Sequence, residues 1–230
     1  MKILMVFALA LAPMMAMNQE SAQRLQESAE VFSEVMTAPD RGIPQDLLDK
    51  AHCIVIVPGL KKAAFVFGAK YGKGYLLCRE SGGGWSAPGT VRIEGGSFGF
   101  QIGGSETDLI LLVMNQGGKE KLLSSKFTLG AEGSVAAGPL GRTATAETDA
   151  QMHAEILSWS RSQGVFAGVS LGGATLRQDL DDNAALYGER LRNRQIVTSR
   201  IQAPAAAEGL LNLLDRYSAR ERGEALRAEQ

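Results

Sequence analysis

Residues 109–114 read Leu-Ile-Leu-Leu-Val-Met. Successive residues of a strand point to opposite faces, so six apolar side chains in a row leave neither face fit for water. The segment "TDLILLVMN" is therefore expected to be a central strand, covered above and below. Such a strand needs neighbours, and the sequence offers several. "CIVIVP" is a short β-branched run that ends at Pro58. "AAFVFGAKYGKGYLLCR" reads as two strands around a Gly-rich turn near Lys70–Lys73. "TVRIEGGSFGFQIGG" and "GVFAGVSLGGATL" are further strand candidates. The 27 glycines and the low aromatic content, 6%, fit many turns or strands packed very close together.

Helices flank this block. Residues 20–38 place Ala22, Leu25, Ala29, Phe32 and Met36 at helical spacing, and Pro39 ends the run. The opposite side carries Glu20, Glu27, Glu30 and Glu34 against Arg24 alone, which suits a helix packed on a core better than one laid on anionic lipid. "IPQDLLDKAH" reads as a second short helix with Pro44 near its start. A helical segment is expected near "AETDAQMHAEILSWSRSQ", residues 146–163, and a short acidic helix over "DLDDNAALY" closed by Gly188. Residues 203–222 carry a leucine stripe and read as a terminal helix. The fold expected is α+β: a β-rich antiparallel sheet or partly closed barrel, with N-terminal and C-terminal flanking helices. No linker long enough to divide the chain is present, so residues 18–230 read as one domain with its core over 51–188.

The stretch 126–149, "KFTLGAEGSVAAGPLGRTATAETD", has little side-chain bulk. It is expected to be a tightly packed strand up to Pro139, with Pro139 and Gly141 making the turn that follows. Lys126 and Arg142, at its two ends, are candidates to pair with Asp108 or Asp149.

The N-terminus has Lys2, an apolar run from Ile3 to Ala12, and small residues around Ala16. This is the pattern of an export leader over residues 1–17, and the run is too short to span a bilayer as a helix. A retained anchor is the alternative. The expected location is the periplasm or cell envelope. In such a compartment Cys53 and Cys78 can pair or remain two buried thiols, and sequence leaves both open. The net charge of −1, or −2 without the leader, argues against a nucleic-acid partner.

Catalytic patterns are weak. Gly95–Gly99 and Gly168–Gly172 both match G-x-S-x-G, which acts as a nucleophile elbow only where a strand turns sharply into a helix. Neither Ser97 nor Ser170 is followed at once by a helical pattern. Ser97, Asp108 and His153 do run in a hydrolase order. His52 and Cys53 are adjacent and would face opposite ways on a strand, and neither C-x-x-C nor H-E-x-x-H occurs. Asp179, Asp181 and Asp182 suit a helix N-terminus rather than a calcium loop. "GAKYGKG" lacks P-loop spacing. No cofactor, metal or enzymatic activity is expected.

Basic side chains remain. Lys61 and Lys62 are expected in a turn after Pro58, and Lys70 and Lys73 in the next turn, beside Tyr71 and Tyr75. These two turns would form one patch only if the sheet curls. Arg190, Arg192, Arg194 and Arg200 lie close together in "ERLRNRQIVTSR". Charges of this kind attract anionic head groups, at about 1 kcal/mol each near a membrane surface. Ordinary solvated turns are the competing reading.

Five segments in order carry a resemblance: "AHCIVIVPGLKKAAFVFGAKYGKG", "GGSFGFQIGGSETDLILLVMN", "KFTLGAEGSVAAGPLGR", "AEILSWSRSQGVFAGVSLGGATLRQD" and "NAALYG". Together they resemble the SYLF domain family. The resemblance implies a compact β-rich domain with flanking helices that binds membrane phospholipid, phosphoinositides in eukaryotic members, without catalysis. In some fungal endocytic proteins the same domain is described as actin-binding. Many bacterial members are exported single-domain proteins. The acidic first helix departs from the basic amphipathic helix credited with lipid insertion in some members. The expectation is a non-enzymatic module for anionic phospholipid surfaces of the cell envelope, with Lys61, Lys62, Lys70, Lys73, Arg190, Arg192 and Arg194 as head-group contacts. An envelope structural or protein-interaction domain is the alternative. An outer-membrane barrel and a serine hydrolase rank below both.

Overall fold

The structure, a computed structural model, describes residues 4–38, 42–64, 67–98, 103–140, 153–162, 165–166 and 171–218, with side chains at the N-terminus from residue 19 onward. Two helices open the chain, α1 (Leu4–Thr37) and α2 (Gln45–Lys50). Four long strands follow: β1 (Cys53–Ala64), β2 (Phe67–Cys78), β3 (Gly89–Phe98) and β4 (Gly103–Val113). Next come α3 (Gln116–Leu122), β5 (Lys126–Thr128), β6 (Val135–Ala137), β7 (Ile156–Ser162), β8 (Val165–Phe166) and β9 (Thr175–Gln178). The chain closes with α4 (Leu180–Tyr187), α5 (Asn193–Thr198), a 3-10 turn over Ala205–Ala207 and α6 (Glu208–Tyr217). The export leader expected over 1–17 coincides with backbone that is helical from Leu4, and its side chains lie outside the described residues.

The strands form one sheet in the order β5-β9-β3-β2-β1-β4-β7-β6, with β8 on β7. Every pairing is antiparallel except β6 with β7. The two outermost strands, β5 and β6, are consecutive in the chain and joined only by residues 129–134. Laid flat, eight strands would put these edges about 34 Å apart, beyond the roughly 24 Å that so short a connection can span. The sheet therefore curls into a partly closed barrel. Leu129 and Gly133 form a bridge at the seam, and the Gly130 N–H donates to Gly133 O at 3.0 Å. The stretch expected to be a single strand is thus two short strands at opposite edges, with a turn at Gly130 (φ 81°) between them. Gly141 lies outside the described residues.

Curling divides the apolar residues into two cores. Val55, Leu76, Ile93, Leu109, Leu111 and Phe127 fill the barrel interior. Ile54, Tyr75, Ile110, Leu112 and Trp159 point outward against Leu25 and Phe32 of α1, Leu48 of α2 and Leu214 of α6. The double-faced run at 109–113 is the central strand expected of it. The expected face of α1 is the buried one, with Leu25 and Phe32 fully covered. An apolar interior under a helix-covered exterior reverses the pattern of a transmembrane barrel, whose lumen is polar and whose outside meets lipid. Among the described residues no helix is long and apolar enough to cross a membrane.

Several expectations change. Pro58 does not end a strand: β1 runs on to Ala64 with a bulge between Val57 and Leu60, where Gly59 takes φ 59°. Residues 70–73 are not a turn but the middle of β2. Within the expected helix at 146–163, residues Ile156–Ser162 are strand β7, because Ile156 faces the inner core while Leu157 and Trp159 face the outer one. Residues 141–152 lie outside the described residues. "GVFAGVSLGGATL" holds β8 and the start of β9 with a turn at Gly172–Gly173, not one strand. The helix α3 was not foreseen. Asn115 caps it, accepting from the Gly118 N–H at 2.7 Å.

Cys53 and Cys78 sit directly opposite each other on β1 and β2, and they form a disulfide in the barrel interior. Both are fully buried. The cross-link closes a separation of 25 residues, for which chain-entropy arguments give about 3 kcal/mol. Replacing both cysteines by alanine is expected to lower the melting temperature by about 6–12 °C in calorimetry. An unchanged value would show that the bridge constrains nothing the sheet does not already hold.

The last of the five matching segments, "NAALYG", is the lock of this architecture. Asn183 is fully buried and accepts from both the Thr90 N–H (2.8 Å) and Thr90 Oγ1 (2.7 Å). Its amide donates to Leu191 O and to Asn193 Oδ1, each at 2.8 Å. Tyr187 donates to Pro88 O, and Gly188 takes the left-handed conformation that ends α4. One asparagine thereby ties α4 and the start of α5 to β3.

Candidate functional site

The β1–β2 register brings Lys61, Lys62 and Lys70 together. Lys62 stands opposite Lys70, and Lys61 opposite Tyr71. Strand alternation then sends these pairs to different faces. Leu60 and Leu76 face the interior, so Lys62 and Lys70 point into the mouth of the barrel. Tyr75 faces α1, so Lys61, Tyr71 and Lys73 point outward beneath that helix.

At the mouth, one row crosses four strands in the order Ser105, Lys62, Lys70, Gly95. Like charges placed directly across a ladder oppose one another. Burial, followed by the charge of Lys70, pulls the Lys62 amine below the usual lysine range. The row therefore holds two ammonium groups whose flanking residues, Ser105 and Gly95, carry no charge.

The outward side is a cleft of about 560 Å³ between α1 and the sheet. Glu27, Glu30, Glu34 and Arg24 line it from the helix, and Lys61, Tyr71, Lys73, Glu106 and Arg161 from the strands. Tyr71 is 48% exposed. Lys73, expected to meet a head group, is instead bound to Asp182 at 2.9 Å and Asp179 at 3.3 Å. Burial alone would pull its amine down. The hydrogen bond and charge of Asp182, joined by Asp179, outweigh that and raise it above the ordinary value. Arg24 reaches the other oxygen of Asp182 at 2.9 Å, which fastens α1 to α4 and β2. Tyr75 Oη adds a bond to Ser21 O at 2.5 Å.

The arginines divide likewise. Arg190 pairs with Asp181 at 2.9 Å and Arg194 with Glu120 at 2.7 Å. Arg192 is exposed at the start of α5, where its N–H donates to Gln195 Oε1. Arg190 and Arg194 are thus held by neighbouring carboxylates, Arg192 is not, and the structure does not join the three to the lysines. Asp108, a suggested partner of Lys126 or Arg142, bonds Arg161 at 2.9 Å and the Gly59 N–H at 3.0 Å. Arg142 and Asp149 lie outside the described residues. Cross-strand register was the signal that joins Lys62 to Lys70, and it becomes legible only once 67–78 is read as one strand.

The hydrolase arrangement is not assembled. The backbone at Ser97 is still paired with Gly68 and is followed in β3 by Phe98, so the strand does not turn sharply at that serine; Ser170 lies outside the described residues. Asp108 lies opposite Arg161, whereas His153 precedes Ile156 beyond the far end of β4, roughly 17 Å away along the strand. Among the described residues no group of three His, Cys, Asp or Glu side chains is placed to hold a metal ion.

The architecture is thus a curled sheet with a helix-covered outside, an apolar inside and a basic mouth at one end. Residues 94–217 match the Ysc84 family, described as "Las17-binding protein actin regulator". The chain is 34% identical over 179 residues to LAS seventeen-binding protein 3 of Saccharomyces cerevisiae, covering 76% of this chain and 39% of that protein. It is 32% identical over 201 residues to the SH3 domain-containing YSC84-like protein 1 of Bos taurus, covering 87% of this chain and 58% of the relative. A Schizosaccharomyces pombe SH3 domain-containing protein is 36% identical over 176 residues, 75% of this chain and 41% of its own length. The chain belongs to the Ysc84 (SYLF) family. It spans about 40–60% of the length of these relatives. Of these descriptions, that of the family names Las17 binding and actin regulation, and that of the first relative names LAS seventeen binding.

Proposed function

We propose that this chain is a non-enzymatic module that binds the anionic phospholipid surface of a cell envelope, after export and removal of residues 1–17. The observation that carries the reading is the Ser105–Lys62–Lys70–Gly95 row at the barrel mouth. Burial lowers Lys62 first and the charge of Lys70 second, and a phosphate between the two lysines would offset that repulsion. Lys61, on the outer face of the same strand end, adds a third charge, and no described residue forms a salt bridge with it. Lys73, Arg190 and Arg194 play a structural part in this reading, and Arg192 lies apart from the row.

Co-sedimentation with phosphatidylcholine vesicles containing rising phosphatidylglycerol tests it. Replacing Lys62 and Lys70 by glutamine is expected to weaken binding about thirty-fold, from about 1 kcal/mol per lost charge. Stability should not fall. A base whose pKa is lowered on folding carries a penalty when charged; that penalty is present below the folded pKa and relieved as pH rises through it. Equal sedimentation of the two proteins at low salt would overturn the proposal.

The descriptions of the relatives favour a second reading, a protein partner in the envelope. The half-exposed Tyr71 in the α1 cleft is where it would be sought. Under this reading a partner cross-links from position 71 in detergent, and Tyr71→Ala loses it.

A further inference from the structure

A second basic pocket, of about 410 Å³, lies at the opposite end of the barrel, lined by Arg79, Glu80, Ser81, Lys119, Thr198 and Arg200 among others. Arg79 is fixed there. Its guanidinium stacks over Trp85 at 4.2 Å and donates to Ser218 Oγ and Leu48 O. Lys119 comes from α3, and Arg200 follows the C-cap of α5. No described residue forms a salt bridge with Lys119 or Arg200. With Glu80, the four charged side chains leave the pocket at a net +2.

The backbone at Arg200 is the informative detail. It is the one non-glycine among the described residues with a positive φ, 49°. The position just past a helix C-cap is where glycine is favoured, because it takes the left-handed conformation without steric cost. An arginine here makes the helix end worse. It gains a guanidinium that reaches the exposed Ser81–Gly83 segment of the turn, with Nη2 3.9 Å from where a Cβ on Gly82 would stand. Charge attraction to the helix C-terminus would account for Lys119 equally well on an ordinary surface. It does not account for holding a β-carbon in the left-handed region. Residues kept in such conformations cluster at ligand sites.

We propose that Arg200 and Lys119, beside the fixed Arg79, form a phosphate-binding pocket distinct from the lysine mouth. Its ligand is a phosphate group, free or borne on a head group. Lying at the far end of the barrel, it cannot rest on the membrane that the mouth meets.

Titration calorimetry with inorganic phosphate on the full chain tests this. Arg200→Gly is expected to weaken phosphate binding at least tenfold while the melting temperature stays level or rises by about 2 °C. Lys119→Gln, on an exposed helix, is expected to weaken it several-fold without a thermal effect. Non-saturable heats, or equal affinity in all three proteins, overturn the proposal. A second arm uses phosphatidylglycerol vesicles and a chain with Lys61, Lys62 and Lys70 replaced by glutamine. Sedimentation that inorganic phosphate reverses assigns the pocket to a head group. Phosphate binding without sedimentation assigns it to free phosphate. Because this arm lacks the mouth lysines, failure of the membrane reading above leaves its outcome unaffected.

Discussion

Gly74→Ala is expected to lower the melting temperature by at least about 10 °C, because among the described glycines its added methyl group would make the shortest contact, and with backbone. A Cβ on Gly74 would stand 2.0 Å from Ile56 O and 2.8 Å from Val57 Cα. Both contacts are backbone, which cannot rotate aside. The crowding comes from the bulge of β1: four residues, 57–60, lie against three of β2, 72–74, and the extra residue presses the chain onto β2. Gly72 is crowded by the same bulge, with Val57 and Leu60 side chains 2.9 Å from its notional Cβ. Overpacking into backbone at this distance is worth roughly 4 kcal/mol or more. Gly96→Ala is the control. Its Cβ would meet nothing nearer than Gly68 O at 3.8 Å, so its melting temperature should change little. Equal transitions for both variants would show that the bulge yields.

Asp182→Ala should cost a comparable amount by a different route. The Asp182 side chain is 8% exposed and holds both Arg24 and Lys73. Its loss leaves Arg24 with Glu20 alone, which is largely solvated, and Lys73 with Asp179. Breaking a buried pair by removing one partner costs about 3–5 kcal/mol, because a charge stays in a poorly hydrated place. The urea midpoint should fall accordingly, and limited proteolysis should cut α1 first. The pH dependence gives a separate check. Lys73 has its pKa raised on folding, so its contribution is complete below about pH 10.5, the ordinary lysine value, and is lost as pH rises through the folded value. Without Asp182 that alkaline loss should begin at lower pH. An unchanged midpoint and alkaline limb would mean that Tyr75, the Glu34–Arg161 ion pair and the apolar face hold α1 without Asp182.

Both predictions fall on residues whose sequence context pointed elsewhere. The pattern "YGKGY" reads as a turn because glycine and lysine are common in turns. In the fold, Gly72 and Gly74 are there because β1 crowds them, and Lys73 because two aspartates distant in sequence await it. The same holds at 126–149. Small residues suggested close packing, and Gly138 does lie against the Trp159 ring, where a Cβ would come within 2.1 Å of Cζ2. That these residues bring the first and last strands of the sheet together depends on strand order, which local composition does not encode. Conversely, the face of α1, the capped acidic helix at 180–187 and the central strand at 109–113 were legible, since each depends on side chains within one segment.

The basic site was legible as a set of charges and not as a place. Seven side chains were candidates. Pairing with carboxylates takes three of them into structural roles, and pleat parity separates Lys61 from Lys62 although they are adjacent. What the sequence by itself determined is the unbroken apolar run at 109–114 that demands two covered faces, the helices that cover one of them, and the family to which the chain belongs. Only the tertiary structure decided that the sheet curls until its edge strands β5 and β6 approach, that Cys53 and Cys78 join, and that Lys62 faces Lys70. The physical reason is that local periodicity is written along the chain, whereas register and charge pairing arise between segments up to 158 residues apart, as between Arg24 and Asp182.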